Sequence, residues 1–153
     1  MAKSQENGIT ILLGLKGYQV GRVTEDDEGI VVEMRIGKGK ASCPHCNSSR
    51  LYGHGRCKPR KVLHNWRNGK KIYLELYRQR WRCRECSRSF NDGAELLRTY
   101  SRITKKAEVE VLWQLKDRGF SQVTRELGVG YGTQRRLLER ETDEEALGFV
   151  SRQ

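Results

Sequence analysis

Residues 43–90 read CPHCNSSRLYGHGRCKPRKVLHNWRNGKKIYLELYRQRWRCRECSRSF, a segment with a Cys-x-x-Cys pair near each end. Two such pairs supply four thiolates from two tight turns, and this is the ligand set of a tetrahedral structural zinc ion. Four thiolates leave no open coordination position, so we expect the metal to hold the fold and to do no chemistry. The predicted ligands of this one zinc ion are Cys43, Cys46, Cys83 and Cys86.

The two pairs are separated by 36 residues, 47–82, which is more than the roughly 15–20 residues of the common zinc pattern. An inserted β-hairpin explains the extra length. Lys58–Leu63 and Lys70–Cys83 have strand-like sequences, and Arg67–Gly69 between them is a turn sequence. The alternatives to zinc are a redox dithiol, an iron–sulfur site or a coincidence of spacing.

The remaining thiol and imidazole groups are weaker candidates. His45, His54 and His64 could substitute as ligands, but four cysteines already complete the set. Cys57 is expected to be a free thiol, with exchange into the metal site or a redox role as the alternatives. Ile9–Leu15 lacks the charged lead-in and cleavage site of a signal peptide. We therefore expect a reducing cytoplasm, where close cysteine pairs favour metal over disulfides.

The positive charge of the chain is concentrated around the cysteines. The 153 residues carry a net charge of +11 with a pI of about 9.7. Residues 43–90 contain thirteen basic and two acidic side chains, net +11, whereas residues 1–42 and 91–153 are each neutral. Zinc bound to four thiolates would lower this charge by two. The segment still has the charge of a nucleic-acid-binding surface, and no stretch has the roughly 20 apolar residues of a membrane span.

The predicted second strand of the inserted hairpin carries a basic stripe. Side chains alternate between the two faces of a strand, so three arginines at a spacing of two share one face. We expect them to contact DNA phosphates together with two lysines at the start of the strand, and a solvated strand face is the alternative. The predicted phosphate-contacting residues are Lys70, Lys71, Arg78, Arg80 and Arg82.

Two tryptophans lie in the same basic segment. Trp66 and Trp81 could stack on the bases of single-stranded RNA, and the alternative is that they pack within the sheet. Before the cysteines, two β-branched runs flank the acidic turn Glu25–Gly29 and predict a β-hairpin.

After residue 103 the hydrophobic period becomes helical. Val109, Leu112 and Trp113 predict a buried stripe on a helix that begins near Thr104 and ends at Gly119. A short second helix is predicted from an N-cap at Ser121 to Leu127. A third is predicted over Tyr131–Glu141, after the turn Gly128–Gly130.

The second and third predicted helices have the lengths and the glycine-containing turn of a helix-turn-helix motif. Thr124 and Gln134 depart from the motif, because a small residue and an apolar residue are usual at these positions. An ordinary helical hairpin is therefore an open alternative. In the motif, base-contacting side chains lie near the start of the recognition helix, here Tyr131, Thr133, Arg135 and Arg136.

Four motifs together resemble a known family: CPHC at 43–46, YGHGR at 52–56, NGKKIYL at 68–74 and RWRCRECSRSF at 80–90. They are similar to the N-terminal part of ISL-three-type insertion-sequence transposases, in which a zinc ribbon precedes a helix-turn-helix and a DDE catalytic domain follows. The opening ILLGLKGYQVGRV at 11–23 resembles the same family. The resemblance implies binding to terminal inverted repeats, with the four cysteines as zinc ligands and the third helix on DNA.

The sequence thus predicts an α+β fold with four parts: an N-terminal β-hairpin segment packing on the ribbon (1–42), a zinc ribbon (43–90), a helix-turn-helix domain (91–141) and an acidic linker or tail (142–153). The expected partner is double-stranded DNA, with a homo-oligomer possible. No acids match the DDE triad, so we expect no catalytic residues in this chain and a catalytic domain in a longer form. The alternatives are a stand-alone transcription regulator and a basic RNA-binding zinc module; a redox enzyme and a protein-interaction domain are further rivals.

Overall fold

The computed structural model describes residues 12–15, 18–36, 42–93, 95–98 and 101–151, with side chains in the last helix as far as Glu144. From Tyr18 onward these residues form seven β-strands followed by three α-helices, an α+β fold as predicted. Residues 1–11 and 37–41 of the predicted N-terminal segment lie outside the described residues.

The strands form two separate sheets, in which all neighbouring strands except β2 and β5 are antiparallel. The large sheet has the order β1-β2-β5-β4, and the ribbon sheet has the order β3-β6-β7. The strands are β1 (Tyr18–Glu25), β2 (Gly29–Ile36), β3 (Leu51–Arg56), β4 (Arg60–Arg67), β5 (Lys70–Tyr77), β6 (Gln79–Cys83) and β7 (Ser89–Asn91).

The predicted N-terminal hairpin is present as β1 and β2, and its turn is held by Asp26. The Asp26 Oδ1 atom accepts hydrogen bonds from the backbone N–H groups of Glu28 (2.8 Å) and Gly29 (3.1 Å). β2 then pairs in parallel with β5, starting at Gly29 opposite Lys71. A Cβ atom at Gly29 would lie 2.2 Å from the Lys71 carbonyl oxygen, so this close approach requires glycine.

The predicted hairpin between the cysteine pairs is present as β4 and β5. Its turn residues Asn68 and Gly69 both have positive φ, 52° and 75°, as a two-residue type I′ hairpin turn requires. Alternate residues of β5 are buried in the core of the large sheet, as predicted from the alternation. That core consists of Leu13, Leu15, Val20, Val32, Met34, Val62, Ile72, Leu74, Leu76, Leu96 and Leu97.

The prediction of one strand over Lys70–Cys83 is wrong. β5 ends at Tyr77 and pairs with β2 and β4, whereas β6 begins at Gln79 and pairs with β3 and β7. Arg78 lies at the crossing between the sheets, and its backbone carbonyl accepts a hydrogen bond from the Cys57 N–H (3.1 Å). The sequence does not contain this break, because each half has strand character and only the different pairing partners separate them.

The helices are α1 (Lys105–Leu115), α2 (Phe120–Leu127) and α3 (Tyr131–Ser151). Thr104 caps α1 by accepting a hydrogen bond from the Ala107 N–H (3.2 Å). The N-cap of α2 is Gly119, two residues before the predicted Ser121, and it supplies no side-chain cap, so the Ser121 N-cap prediction is wrong. None of the described helices is long and apolar enough to cross a membrane.

The buried stripe predicted for α1 lies on the wrong face. Val109 and Trp113 are 66% and 63% exposed, and the buried residues of the helix are Ala107, Glu108 and Val111. Glu108 is buried because two arginines pair with it. This partnership is invisible to hydrophobic periodicity, which counts glutamate as a surface residue.

α3 continues ten residues beyond its predicted end at Glu141, through the segment expected to be an acidic linker. Glu144 on this extension pairs with Arg98 (3.4 Å), a residue outside the helix. The glutamates of this segment are good helix formers, and the ion pair anchors the extension to the loop before α1.

The three helices pack around their own core and against the β4 edge of the large sheet. The Leu63 N–H donates to the Arg102 carbonyl, and the Thr104 N–H donates to the Leu63 carbonyl, both at 2.9 Å. Leu63 and Trp66 of β4 extend the helical core. Its buried members are Ile103, Ala107, Val111, Val123, Leu127, Val129 and Leu137.

Candidate metal centre and nucleic-acid interface

Each cysteine pair forms the same tight turn. In the first turn the Asn47 N–H donates to the Cys43 carbonyl (2.8 Å), and in the second the Ser87 N–H donates to the Cys83 carbonyl (3.1 Å). Asn47 and Ser87, each one residue past the second cysteine, have φ values of 62° and 61°. The two turns therefore use one backbone geometry, with a left-handed residue that directs the chain out of each turn.

The four predicted ligands come together at one point. The sulfurs of Cys43 and Cys86 are 3.5 Å apart, as are those of Cys46 and Cys83, and all four sulfurs lie within 4.8 Å of one another. A zinc ion with Zn–S bonds of about 2.3 Å requires sulfurs roughly 3.8 Å apart. A disulfide requires about 2.05 Å, and none of the cysteines is bonded. The four cysteines are thus positioned to bind one zinc ion, as predicted.

The thiols of this cluster are close enough to hydrogen-bond to one another in pairs, at 3.5 Å. The backbone N–H of Cys86 lowers the pKa of Cys83 to about 7, against the burial that raises it. The backbone N–H of Ser48 acts to lower the pKa of Cys46, but the neighbouring Cys83 side chain and burial outweigh it and raise the pKa to about 12. A divalent cation would replace the thiol protons, so metal binding at this site releases protons and weakens at acid pH.

No histidine belongs to the metal-binding cluster that the described residues form. His45 lies within the first cysteine turn, where its Nδ1 atom is 3.2 Å from the Arg88 guanidinium. His64 is buried and bridges three segments: its Nε2 contacts the Leu13 carbonyl and its Nδ1 contacts the Thr104 hydroxyl, both at 2.8 Å. A carbonyl only accepts, so Nε2 carries the proton and Nδ1 accepts from the hydroxyl. Burial also lowers the pKa of His64, which disfavours a second proton on the ring. His64 is therefore a neutral structural residue.

The fifth cysteine, Cys57, is separate from the four-sulfur cluster. Its thiol donates to the Asn91 side-chain oxygen at 3.3 Å, between the start of the hairpin and β7. This position fits the expected free thiol.

The three arginines of the predicted basic stripe have different surroundings. Arg80 is exposed on β6, while the Arg82 Nε donates to the Ser87 carbonyl of the second cysteine turn (3.2 Å). Arg78 is half-buried at the sheet crossing, with its Nε atom inaccessible. A continuous three-arginine stripe on one strand is therefore not formed, because β5 ends at Tyr77 and only Arg80 and Arg82 lie on β6.

The two predicted lysines lie at the tip of the β4–β5 hairpin. Lys70 is exposed and pairs with Glu25. Lys71 donates to the carbonyl of Gly128, in the turn between α2 and α3, at 3.2 Å. Lys71 thus bonds to protein in this structure, whereas Arg67, on the other side of the hairpin turn, is exposed and forms no side-chain hydrogen bond or ion pair with any residue that the structure describes.

Trp66 fixes the hairpin to the helices, a contact that the sequence did not reveal. Its indole N–H donates to the Leu127 carbonyl at the end of α2 (2.8 Å). Together with Lys71, this bond satisfies carbonyls that the last turn of a helix leaves without partners. The basic tip of the hairpin therefore lies beside the turn that leads into α3.

The first turns of α3 present the four residues predicted to contact bases. Tyr131 is 55% exposed and packs edge-on against Phe120, with ring centroids 5.0 Å apart. Arg135 is exposed and paired with Glu139 (3.1 Å), while the Arg136 guanidinium bonds to the Gly132 carbonyl and Thr133 hydroxyl. These contacts are local to one helix surface, so both arginines are available to an anionic partner.

The two residues that depart from the helix-turn-helix pattern bond to each other. Gln134 is fully buried, and its Nε2 donates to the Thr124 hydroxyl at 2.7 Å. The carbonyls of Val129 (2.8 Å) and Phe120 (3.3 Å) also lie within hydrogen-bonding distance of this nitrogen, whose two hydrogens are shared among the three acceptors. A polar pair thus replaces the expected small and apolar residues, with one buried oxygen, Gln134 Oε1, left without a partner.

The two cysteine turns, the short strands that continue from them and the four clustered sulfurs define a zinc ribbon. A family model described as the zinc-finger of transposase IS204/IS1001/IS1096/IS1165 matches residues 39–86. The match includes all four ligands and confirms the resemblance to ISL-three-type transposases over the ribbon. Such a ribbon indicates a nucleic-acid-binding role associated with transposition. No curated protein and no solved structure gives a significant match.

Proposed function

We propose that this chain is the DNA-recognition part of a transposase and binds double-stranded DNA sequence-specifically at terminal inverted repeats. The observation that carries the proposal is the contact between the ribbon's hairpin and the turn before α3. Trp66 and Lys71 hold the basic hairpin tip against residues 127–128. One duplex can therefore meet the hairpin and α3 together.

In this proposal residues 120–140 act as a helix-turn-helix with α3 as the recognition helix. The buried positions of the motif are filled by Val123, Leu127, Val129 and Leu137. The Thr124–Gln134 hydrogen bond accounts for the two departures, since it lets a polar pair occupy the interface between the helices. Arg135 and Arg136 then lie where major-groove contacts to guanine are made.

In this proposal the ribbon and its inserted hairpin supply the phosphate contacts, which do not depend on the DNA sequence. Arg67, Lys70 and Arg80 are exposed on a segment with a net charge of +11 before metal binding. Phosphate contacts of this kind set affinity and position, whereas base contacts set specificity. Residues 1–153 are assigned recognition and no catalytic step.

The burial and hydrogen bonding of the two tryptophans favour duplex DNA over single-stranded RNA as the partner. Trp66 packs against the helical core and bonds to Leu127, while the Trp81 indole N–H donates to Asp92 at 3.2 Å. Base stacking needs exposed aromatic faces, and both tryptophans are half-buried with their indole N–H groups bonded to protein.

The test is selection of binding sites from a random duplex library with zinc present and single-stranded RNA as competitor. The proposal expects a recovered motif that matches inverted repeats flanking the gene. Replacing Arg135 and Arg136 with alanine should remove the base preference and leave salt-dependent binding. The control, Arg22→Ala with Arg35→Ala on the N-terminal hairpin, loses the same charge and should keep the motif. An equal loss of affinity for random and selected DNA would contradict the assignment of α3 as the recognition helix.

A further inference from the structure

A cleft of about 560 Å³ lies between β4, the segment 101–103 and α3. Its walls include the side chains of four arginines. The arginines are Arg98, Arg102, Arg136 and Arg140. None of them belongs to the zinc ribbon, and three of the four are outside the predicted set of DNA contacts.

Two of these arginines pair with Glu108, the acid in the cleft wall. The Arg98 Nε lies 2.9 Å from one Glu108 oxygen, and the Arg140 guanidinium lies 3.3 Å from the other. The Glu108 side chain is only 6% exposed, so its carboxylate interacts with these two arginines and hardly with solvent. Arg98 also pairs with Glu144, outside the cleft wall (3.4 Å). Two carboxylates against four guanidinium groups leave a net positive charge of two at the cleft.

The other two arginines form no ion pair with any acid that the structure describes. Arg102 is exposed, and Arg136 bonds to the Thr133 hydroxyl (3.4 Å) and the Gly132 carbonyl (3.3 Å). Guanidinium groups present several N–H donors in a planar fork that fits phosphate oxygens. An anion with several oxygens is the ligand that this lining fits.

The backbone that carries Arg102 is fixed to the sheet. Its carbonyl accepts from the Leu63 N–H, and the Leu63 carbonyl accepts from the Thr104 N–H, both at 2.9 Å. The Arg102 side chain therefore extends from an anchored strand edge, and less backbone ordering is needed when an anion binds.

We propose that this cleft is a phosphate-binding site that receives a backbone phosphate of the bound duplex, next to the recognition helix. Thr133, Arg136 and Arg140 line the cleft from one side of α3, and Arg135 lies on the adjoining exposed surface. A phosphate between Arg102 and Arg136 would fix the depth and rotation of α3 in the groove. This inference rests on the proposed DNA-binding function.

The first measurement is the salt dependence of duplex binding by Arg102→Gln, with Arg22→Gln on β1 as the control for lost charge. β1 is at the opposite edge of the large sheet from β4. Removing one phosphate contact should lower the slope of log K against log salt by about 0.9 and weaken all sequences equally. A slope equal to that of Arg22→Gln would overturn the proposal. Zinc content and circular dichroism establish that both variants are folded.

The second measurement titrates the free chain with inorganic phosphate and follows the Nε–Hε signals of Arg102 and Arg136 by NMR. Saturable shifts of both signals are expected, together with the lower DNA slope. Shifts without a change in the DNA slope would mean a site for free anions, which overturns the claim about the DNA backbone.

The two proposals fail in different ways. If the wild-type chain selects no motif, sequence-specific binding is wrong, yet the slope on random duplex still tests the cleft. If a motif is selected and Arg102→Gln matches its control, the cleft is wrong and the proposed function stands.

Discussion

The ribbon sheet and the helical region of this protein are stabilised by different means. In the ribbon sheet, residues 42–57 and 79–91, the buried hydrophobic residues are Cys43 and Cys83 alone. The helical region, residues 101–144, buries seven apolar residues around one core. A module without an apolar core needs another source of stability, and in the ribbon that source is the metal. The difference shows that small modules of one chain can depend on unrelated interactions for their stability.

The largest expected effect is loss of the metal. Structural zinc sites contribute about 10–16 kcal/mol in small peptides, so chelation or Cys83→Ser should unfold the ribbon sheet. The helices and the large sheet should keep their amide protection, because their cores contain no metal ligand. Hydrogen exchange followed residue by residue measures this.

Cys57→Ser is the matched control, since Cys57 lies outside the cluster and serine can keep the hydrogen bond to Asn91. Unchanged protection of β3 and β6 after chelation would mean that the ribbon does not depend on zinc.

The next effect concerns the contact that joins the hairpin to the helices. Trp66→Ala should lower the free energy of unfolding by about 3 kcal/mol, at the lower end for a tryptophan that is partly buried. Trp66→Phe keeps most of the packing and loses the bond to Leu127, at about 1 kcal/mol. Urea denaturation measures both.

Trp113→Ala serves as the comparison, because Trp113 is 63% exposed on α1 and should change stability by less than about 0.5 kcal/mol. If Trp66→Ala were equally mild, the hairpin and the helices would not be coupled through this residue.

A smaller effect is the coupling between Thr124 and Gln134. A double-mutant cycle with Thr124→Ala and Gln134→Leu should give an interaction energy of about 1 kcal/mol, because their hydrogen bond is buried. The reference cycle uses Gln114 and Glu110, a pair within α1 at 3.0 Å, and should give about 0.3 kcal/mol. Equal coupling in the two cycles would show that the bond between the helices contributes no more than a surface pair.

The smallest effect is on pH dependence. Burial lowers the pKa of His64 in the folded protein, so the unfolded chain takes up the proton first as the pH falls below about 6.5. Stability should therefore decrease from that pH downward, and His64→Gln should reduce the decrease. His54→Gln, at an exposed position on β3, should leave the decrease unchanged. Identical pH profiles for both variants would contradict the neutral, buried state of His64.

Local chemistry made the zinc site and the hairpin turn predictable. Each Cys-x-x-Cys pair forms its own turn, so the ligand set followed from spacing within four residues. Asn68-Gly69 adopts positive φ at both positions because of its residue types alone. The left-handed Asn47 could have been suspected on the same ground, since asparagine tolerates this conformation.

Sequence-based prediction was limited where the surroundings of a residue depend on a partner far away in the chain. Val109 and Trp113 have helical spacing but are exposed, because two arginines bury Glu108 on another face of α1. Lys71 stays a predicted phosphate contact, but its bond to Gly128, which is distant in sequence, could not be foreseen from the local pattern. Gln134 departs from its motif, yet a hydrogen bond to Thr124 accommodates it.

The sequence by itself determined the zinc ligands, the order of strands before helices and the location of the positive charge, because these depend on residue types and short spacings. The tertiary structure alone decided the parallel pairing of β2 with β5, the break at Arg78 and the arginine-lined cleft. These features depend on which segments meet, and contacts between residues far apart in the chain leave no periodic signal within either segment.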